Sequence, residues 1–236
     1  GKNLKLKLQE NNIKFFEITK ATKNSKFEKY CLKSDVIFHV AGQNLSRNKN
    51  DFKKNNVLLT KRLCNILKFS KNKTKIIYLS TIKINEKTDY GFSKKKAEEI
   101  LLEASLKSKI DLKILRLPNV YGKWCKPNYN SFITTIFYNV PRSIKFKKIE
   151  LKNKIKLIHI DKVTNYLLKL AYKNTKEKII DLKPEKIISI RELINKVHKI
   201  WVCHKSGYLF NFSSDFEKNL FSTFLTYLPY KNFYRS

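Results

Sequence analysis

Short apolar segments of strand length alternate with segments of helical periodicity through the first half of the chain. The strand-like segments are IKFFEI (13–18), DVIFHV (35–40), IIYL (76–79) and LKILRL (112–117). Helical periodicity occupies residues 57–69 and 93–106. Buried strands separated by helices form parallel sheets that are covered on both faces. This alternation therefore restricts the chain to an α/β fold.

The character of the sequence changes after Pro118. A loop-like segment rich in aromatic residues, Asn and Pro follows at 122–131. Beyond it we predict one strand near 155–160, an apolar segment able to pack at 216–230, and helices near 132–139, 163–171 and 190–200. We therefore expect a second region that begins close to residue 123.

The chain is strongly basic, because 51 Lys and Arg residues face 19 Asp and Glu residues and give a formal net charge of +32. Such a charge suggests nucleic acid or another anionic surface. Nucleic-acid surfaces usually concentrate their charge in one patch and use Arg for bidentate contacts. Here only six basic residues are Arg, and the excess is spread along the whole chain. We interpret it as solvated faces and expect no nucleic-acid partner, with a basic nucleic-acid-binding protein kept as an alternative.

The four cysteines, at 31, 64, 125 and 203, form no CxxC pair and no metal-ligand spacing with the four histidines. We expect free thiols in a reducing cytoplasm and no metal site. No apolar run reaches the length of a membrane span, and no segment is typical of a signal peptide. The expected location is the cytoplasm, without membrane insertion.

Tyr90 and Lys94 lie four residues apart at the start of a predicted helix, so their side chains share one face. This spacing occurs three times, and about two occurrences are expected by chance in so lysine-rich a sequence. Only this pair follows a buried strand of the parallel pattern, which ends in Ser80 and Thr81. Ligands bind at the carboxyl ends of parallel strands. Thr81 and Tyr90 are therefore expected to face the same crevice.

These residue types suit the reduction of a carbonyl group. A free phenol has a pKa of about 10, and a nearby ammonium such as that of Lys94 stabilises the phenolate. Thr81 would hydrogen-bond the carbonyl oxygen while Tyr90 protonates it as hydride arrives at carbon. A strand-end cap explains Thr81 alone, and a solvated helix face explains Lys94 alone. Together, in this order, the three residues favour catalysis.

Six segments in order resemble the extended short-chain dehydrogenase/reductase family, also called the NAD-dependent epimerase/dehydratase family, which acts on nucleotide sugars. They are Gly1 at a helix start, DVIFHVAG (35–42), NNV (55–57), LST (79–81), YGFSK (90–94) and RLPNVYG (116–122). The resemblance extends over nearly the whole chain. Two longer strings, 116–131 and 216–229, resemble the reductase domain of the bifunctional UDP-sugar reductase/epimerase subgroup of capsular polysaccharide synthesis.

The resemblance implies a doubly wound parallel sheet of the Rossmann type. Residues 1–122 would form the dinucleotide-binding domain and 123–236 mainly a smaller substrate-binding region, with part of 155–171 returning to the Rossmann domain. Gly1 would be the last glycine of the GxxGxxG phosphate loop, so the family's first strand is missing from the printed sequence. We expect a chain truncated at both ends, without the cupin domain of the bifunctional relatives, that binds its cofactor poorly.

The same resemblance implies roles for individual residues. Thr81, Tyr90 and Lys94 would be catalytic, and Lys94 would also hold the nicotinamide ribose. The implied cofactor-binding residues are Gly1, Ala41, Gly42, Leu79, Tyr90, Lys94, Pro118 and Val120. The implied substrate-binding residues are Asn119, Asn130 and Ser131, together with Asn56, which would lie behind the active site.

Lys20 bears on the choice of cofactor because it follows the predicted second strand. A cation at that place accommodates the 2′-phosphate of NADPH, whereas an acidic residue binds the 2′-hydroxyl of NADH. Lys20 therefore favours NADPH over NADH, and a solvated lysine is the other explanation.

The activity implied by the resemblance is reduction of the 4-keto group of a UDP-2-acetamido-2,6-dideoxyhexos-4-ulose. This would be one step toward UDP-N-acetyl-L-fucosamine, carried out by a homodimer that binds a UDP-sugar. A non-catalytic, degenerate remnant of such an enzyme stays as the alternative.

Overall fold

The computed structural model describes residues 1–129, 131–146, 150–208 and 210–229. Two compact units divide the chain. The first unit comprises Gly1–Leu117 and Thr164–Leu182, and the second comprises Pro118–Val163 and Lys183–Ser236.

The described residues form seven strands and nine α-helices. The strands are β1 (Val36–His39), β2 (Thr74–Thr81), β3 (Ile110–Leu117), β4 (Asn119–Tyr121), β5 (Lys154–His159), β6 (Ile179–Asp181) and β7 (Lys186–Ser189). The helices are α1 (Lys2–Glu10), α2 (Asn24–Lys33), α3 (Lys49–Phe52), α4 (Leu59–Leu67), α5 (Asp89–Lys107), α6 (Phe132–Asn139), α7 (Ile160–Tyr172), α8 (Ile190–Lys205) and α9 (Asp215–Leu225). A π-helical turn, Lys53–Leu58, joins α3 to α4, and a 3-10 turn, Val140–Arg142, follows α6.

A four-stranded parallel sheet in the order β1-β2-β3-β6 forms the centre of the first unit. Neighbouring residues of β2, Ile76 and Ile77, point to opposite faces of the sheet and are both fully buried. The same holds for Ile114 and Leu115 in β3. Both faces of the sheet are therefore covered, which confirms the α/β class that the alternation predicts.

One face of this sheet packs against α2, α4 and α5. Helix α2 contributes Phe27 and Cys31, and the other two helices contribute small or aliphatic side chains at helical spacing, such as Leu63 and Leu67 in α4 and Ala97 and Leu101 in α5. Cys31 and Cys64 are free thiols in the same core, as predicted. The side chains of these helices form a close-packed apolar layer against the sheet, which holds the strands in place.

The second unit contains a three-stranded sheet in the order β4-β5-β7. β4 runs parallel to β5, with Asn119 opposite Leu157, and β5 runs antiparallel to β7. Its core joins this sheet to α6, α8 and α9 through side chains such as Phe137, Val197 and Phe224. A capping box formed by Ser189 and Glu192 starts α8 directly after β7.

The strand predicted at 13–18 is wrong. These residues pair with none of the seven described strands. Phe16 instead stacks on Tyr30 with ring centroids 4.3 Å apart, and Glu17 pairs with Lys5 at 2.5 Å. A strand requires a hydrogen-bonding neighbour, and the apolar content of a segment does not supply one.

A half-buried lysine in β2 supplies donors to the end of α7. Lys75 Nζ donates to the carbonyl oxygens of Leu170 and Ala171 at 3.3 and 3.1 Å, and it lies 3.8 Å from Asp111. The last carbonyl groups of a helix have no partner within the helix and carry partial negative charge. An ammonium group at this end therefore satisfies and neutralises them.

Lys113, its counterpart in β3, is 3% exposed. Its Nζ donates to the carbonyl oxygens of Thr175 and Glu177, which follow α7, and lies 3.5 Å from Asp111. The two lysines together fasten the segment that leads from α7 into β6.

We expect Lys113→Met to lower the free energy of unfolding by about 2 kcal/mol, because the carbonyl groups and Asp111 lose a buried charged partner. Urea unfolding measures the change. Lys107→Met is the matched control, since Lys107 is 67% exposed and pairs with Glu103 on the surface of α5. Its effect should stay within about 0.5 kcal/mol. Equal effects of the two substitutions would contradict this account of Lys113.

His39 ends β1 and is 6% exposed. Its Nε2 lies 2.8 Å from Thr60 Oγ1 in α4, and its ring is 5.1 Å from that of Tyr78. Burial, helped by the charge of Lys94, lowers the pKa of His39 to about 3. The folded protein therefore holds this imidazole neutral over most of the acidic range.

This neutral histidine predicts a loss of stability in acid. An unfolded histidine has a pKa of about 6.5, so below that pH the unfolded chain binds a proton that the folded chain does not. Stability therefore falls as the pH drops from about 6.5 toward 3, by up to about 1.4 kcal/mol per pH unit. In His39→Gln this component should disappear from urea unfolding measured as a function of pH. His198→Gln, at an exposed position, is the control, and an unchanged slope in His39→Gln would refute the assignment.

Candidate active site

The carboxyl end of β2 leads directly into the start of α5. Thr81 is the last residue of β2, is 7% exposed, and accepts a hydrogen bond from the Lys83 amide at 3.2 Å. Thr88 caps α5 by accepting from the Gly91 amide at 3.0 Å, and Asp89 places an acid in the first turn. Both features favour a helix start at this point.

Gly91 allows the turn after β2 to pack closely against the start of α5. A Cβ atom there would lie 2.7 Å from the Glu86 carbonyl oxygen and 2.9 Å from that of Lys83. Any side chain would therefore push the turn after β2 away from α5. With glycine, the turn packs tightly, and Tyr90 lies near enough to Thr81 for that side chain to influence the pKa of the phenol.

Lys94 lies one helical turn beyond Tyr90 and points inward, with 6% of its surface exposed. Its Nζ donates to the Leu79 carbonyl oxygen at 2.5 Å and lies 4.1 Å from the centre of the Tyr78 ring. The buried Tyr78 hydroxyl has no hydrogen-bond partner among the residues that the structure describes. Tyr78 therefore contacts the ammonium through its ring, as a cation–π pair.

Burial shifts both Lys94 and Tyr90 toward their neutral forms. Burial lowers the pKa of Lys94 to about 7, and the charge of Glu98 opposes that shift. Burial raises the pKa of Tyr90, and the Thr81 side chain opposes that rise. Lys94 can therefore gain or lose its proton close to neutral pH, which is typical of functional sites.

Asn56 connects the loop after β1 to α5. It lies in the π-helical turn and is 1% exposed. Its Oδ1 accepts from the Gln43 amide at 2.7 Å, while its Nδ2 donates to the Gln43 carbonyl oxygen at 2.9 Å and to Ser93 Oγ at 2.8 Å. A Cβ atom on Gly42 would lie 3.0 Å from Asn56 Oδ1. These bonds position the loop, and the expected contact of Asn56 with substrate stays a prediction.

Gly1, the predicted last glycine of the phosphate loop, precedes α1. The first turn of this helix carries no acidic residue. A helix N-terminus without negative charge suits a phosphate group, and the expected contact of Gly1 with the cofactor stays a prediction. Of the other predicted cofactor residues in this unit, Lys20 and Ala41 are exposed and Leu79 offers its carbonyl oxygen to Lys94.

The remaining predicted residues belong to the second unit. Asn119 in β4 is exposed and donates from Nδ2 to the Lys156 carbonyl oxygen at 3.1 Å. Ser131 caps α6 by accepting from the Thr134 amide at 3.3 Å. Their sugar contacts stay predictions. The others are Pro118 and Val120, which flank Asn119, and Asn130, which lies outside the described residues.

Sequence reasoning missed Glu98 and Arg116. Glu98 lies one turn beyond Lys94 on α5 and is 3% exposed. Arg116 in β3 donates from Nε to its Oε1 at 3.1 Å and from Nη2 to its Oε2 at 2.7 Å. The signal in the sequence was the repeat of four residues from Tyr90 through Lys94 to Glu98, which predicts one shared helix face.

Across the residues that the structure covers, no group of three or more His, Cys, Asp or Glu side chains could hold a metal ion. Nor does any helix in those ranges combine the length and apolar character needed to cross a membrane. At the carboxyl end of β2, the described side chains supply the hydroxyl groups of Thr81 and Tyr90 and the buried ammonium of Lys94. Such a set can bind, polarise and protonate a carbonyl oxygen.

Two known proteins are similar to the chain over nearly its whole length. A UDP-2-acetamido-2,6-beta-L-arabino-hexul-4-ose reductase of Pseudomonas aeruginosa is 30% identical over 235 residues, which is 99% of this chain and 63% of that protein. The crystal structure of the capsular polysaccharide assembling protein CapF from Staphylococcus aureus matches with a TM-score of 0.88 at 30% identity. It covers 100% of this chain and 65% of that one. The chain thus spans less than two thirds of either relative.

More distant structures share the fold. The UDP-glucuronic acid 4-epimerase from Bacillus cereus, solved in complex with NAD, matches with a TM-score of 0.75 at 18% identity. The match covers 99% of this chain and 87% of that one. This likeness supports the doubly wound, Rossmann-like class.

The family profile described as "NAD dependent epimerase/dehydratase family" matches residues 2–182. These residues include β1, β2, β3 and β6 of the parallel sheet, together with Thr81, Tyr90 and Lys94. The match extends over more than half of the chain and agrees with the fold. The chain belongs to the NAD dependent epimerase/dehydratase family.

Proposed function

We propose that this chain is the reductase part of a sugar-nucleotide enzyme, which uses NADPH to reduce the 4-keto group of a UDP-2-acetamido-2,6-dideoxyhexos-4-ulose. The observation that carries the proposal is the buried ammonium of Lys94, bound to the Leu79 carbonyl oxygen, at the point where β2 ends in Thr81 and α5 begins with Tyr90 in its first turn. The name of the Pseudomonas aeruginosa relative supports the substrate. The product would lie on the route to UDP-N-acetyl-L-fucosamine for surface polysaccharide, and the enzyme would act as a cytoplasmic homodimer.

NADPH would supply a hydride to the keto carbon. The start of α1 at Gly1, whose first turn carries no acidic residue, would receive its pyrophosphate. Lys20, which is exposed but follows no strand, would contact the 2′-phosphate by its charge. Lys94 would hold the nicotinamide ribose. The other residues proposed to line the cofactor are Ala41, Gly42, Leu79, Tyr90, Pro118 and Val120.

The side chains of the first unit would then complete the reduction. Thr81 donates a hydrogen bond to the keto oxygen and holds it beside the Tyr90 hydroxyl. As the carbon accepts hydride, Tyr90 gives its proton to the oxygen, so that the C=O double bond becomes a CH–OH group. Lys94 lowers the cost of the resulting phenolate by its positive charge. Tyr90 then recovers a proton from water.

The UDP-sugar would be held by Asn119, Asn130 and Ser131. Asn119 is exposed, and Ser131 stands at the N-terminus of α6. Asn56 would act behind the active site by fixing the loop that carries Gly42.

Tyr90→Phe tests the proposed proton donor. We expect kcat to fall by at least about 100-fold, because the proton for the keto oxygen is lost. The assay follows NADPH absorbance with the complete gene product and the UDP-4-keto sugar. Tyr172→Phe is a matched control, since Tyr172 also stands four residues before a lysine but is 74% exposed. Full activity in Tyr90→Phe would contradict the mechanism, and no activity in the unaltered protein would favour a degenerate remnant.

Lys20→Glu tests the choice of cofactor. We expect the ratio of kcat/KM for NADPH to kcat/KM for NADH to fall about tenfold or more, because a carboxylate repels the 2′-phosphate and accepts the 2′-hydroxyl. Lys23→Glu makes the same charge change three residues later at another exposed position. If both variants keep the ratio of the unaltered protein, Lys20 does not contact the cofactor.

A further inference from the structure

We propose that Glu98 is a positioning residue for Lys94: clamped by Arg116, it fixes the inner face of α5 against the sheet and supplies the negative charge that Lys94 needs in its buried site. This inference rests on the proposed reductase function, because it assigns Lys94 to the reaction. It concerns a group that touches neither substrate nor cofactor in the proposed mechanism.

The first support is the geometry of the pair. Two parallel hydrogen bonds of 3.1 and 2.7 Å join the planar guanidinium of Arg116 to both oxygens of Glu98. The Glu98 side chain is 4% exposed and that of Arg116 is 22% exposed. Such bidentate pairs restrain orientation as well as distance. They tie the middle of α5 to β3, near the carboxyl end of that strand.

The second support is the helix face that the two residues share. Tyr90, Lys94 and Glu98 follow one another at intervals of four, so each lies one turn above the last. A restraint on Glu98 therefore restrains the rotation of α5 at Lys94 and Tyr90 as well. The Nζ of Lys94 depends on that rotation, because it must reach the Leu79 carbonyl oxygen in β2.

The third support is the set of charges around Lys94. His39 faces it from β1 and is neutral, since burial lowers the pKa of that histidine to about 3. Tyr78 faces it from β2 and Tyr90 from α5, and burial raises the pKa of both phenols. Among the residues that the structure describes, Glu98 is the carboxylate whose charge favours the protonated form of Lys94.

Arg116 holds the Glu98 carboxylate by both of its oxygens. Asp181 in β6 lies 3.9 Å from Arg116 Nη1 as a second partner. Removing Glu98 alone would take this partner from Arg116 and the nearby negative charge from Lys94. The positioning function therefore depends on both members of the pair.

The test measures the protonation of Lys94 directly. Protein labelled with 13C at lysine Cε is titrated by NMR, and the Lys94 signal is assigned by its absence in Lys94→Arg. In Glu98→Gln, which keeps the shape of the side chain, we expect the titration midpoint to fall by about one pH unit. Glu99→Gln is the control, because Glu99 is the next residue of α5 but is exposed and pairs with Lys96 at the surface.

A double variant keeps the test decisive where Glu98→Gln fails to fold. Glu98→Gln with Arg116→Gln removes both charges and leaves no unpaired buried ion. We expect its Lys94 midpoint to lie between those of the unaltered protein and Glu98→Gln. If the midpoint is the same in every folded variant while the melting temperature falls, the pair serves stability alone and the proposal is overturned.

A pH profile of NADPH oxidation separates this inference from the proposed function. In Glu98→Gln the basic limb of the kcat profile should move about one pH unit toward acid, with activity at low pH retained. A profile that coincides with that of Glu99→Gln would refute the inference and leave the reductase intact. The NMR midpoint remains measurable in a protein without reductase activity, so the two failures are distinguishable.

Discussion

The buried ammonium of Lys94 is the interaction on which the arrangement of the first unit depends. A charge that is 6% exposed is costly unless polar groups surround it, and here a carbonyl oxygen of β2, the face of Tyr78 and the charge of Glu98 do so. Those partners require α5 to start where Thr88 caps it and to lie close to the turn after β2 at Gly91. The same placement brings Tyr90 beside Thr81.

The lysines of this chain have different roles at the surface and in the interior. Most lysines lie on solvated faces, yet Lys75 in β2 donates to the last carbonyl groups of α7, and Lys113 in β3 donates to the segment that follows α7. Lys162 in α7 pairs at 2.9 Å with Glu185, whose side chain is 4% exposed. Net charge alone describes solubility and long-range attraction, whereas these contacts follow from the register of β2 and β3 and from the place where helices end.

The sequence predicts the parallel sheet and the grouping of Thr81, Tyr90 and Lys94, because buried strands and helical spacing are local patterns. It does not predict that 13–18 fails to pair, since pairing depends on a neighbouring strand. The short strands β4, β6 and β7 carry too few residues for a period of two to be visible. Glu98 and Arg116 meet only after folding, and Asn56 acquires its bonds to Gln43 and Ser93 in the same way.

We propose that hydride reaches the keto carbon of a UDP-sugar at the site formed by Thr81, Tyr90 and Lys94. The most direct measurement uses NADPH deuterated at its reactive carbon, the complete gene product and the UDP-4-keto sugar, with the product analysed by mass spectrometry and NMR. We expect one deuterium atom, located at C4 of the sugar. A product without deuterium at C4, or no product at all from the folded protein, would refute the proposed reduction.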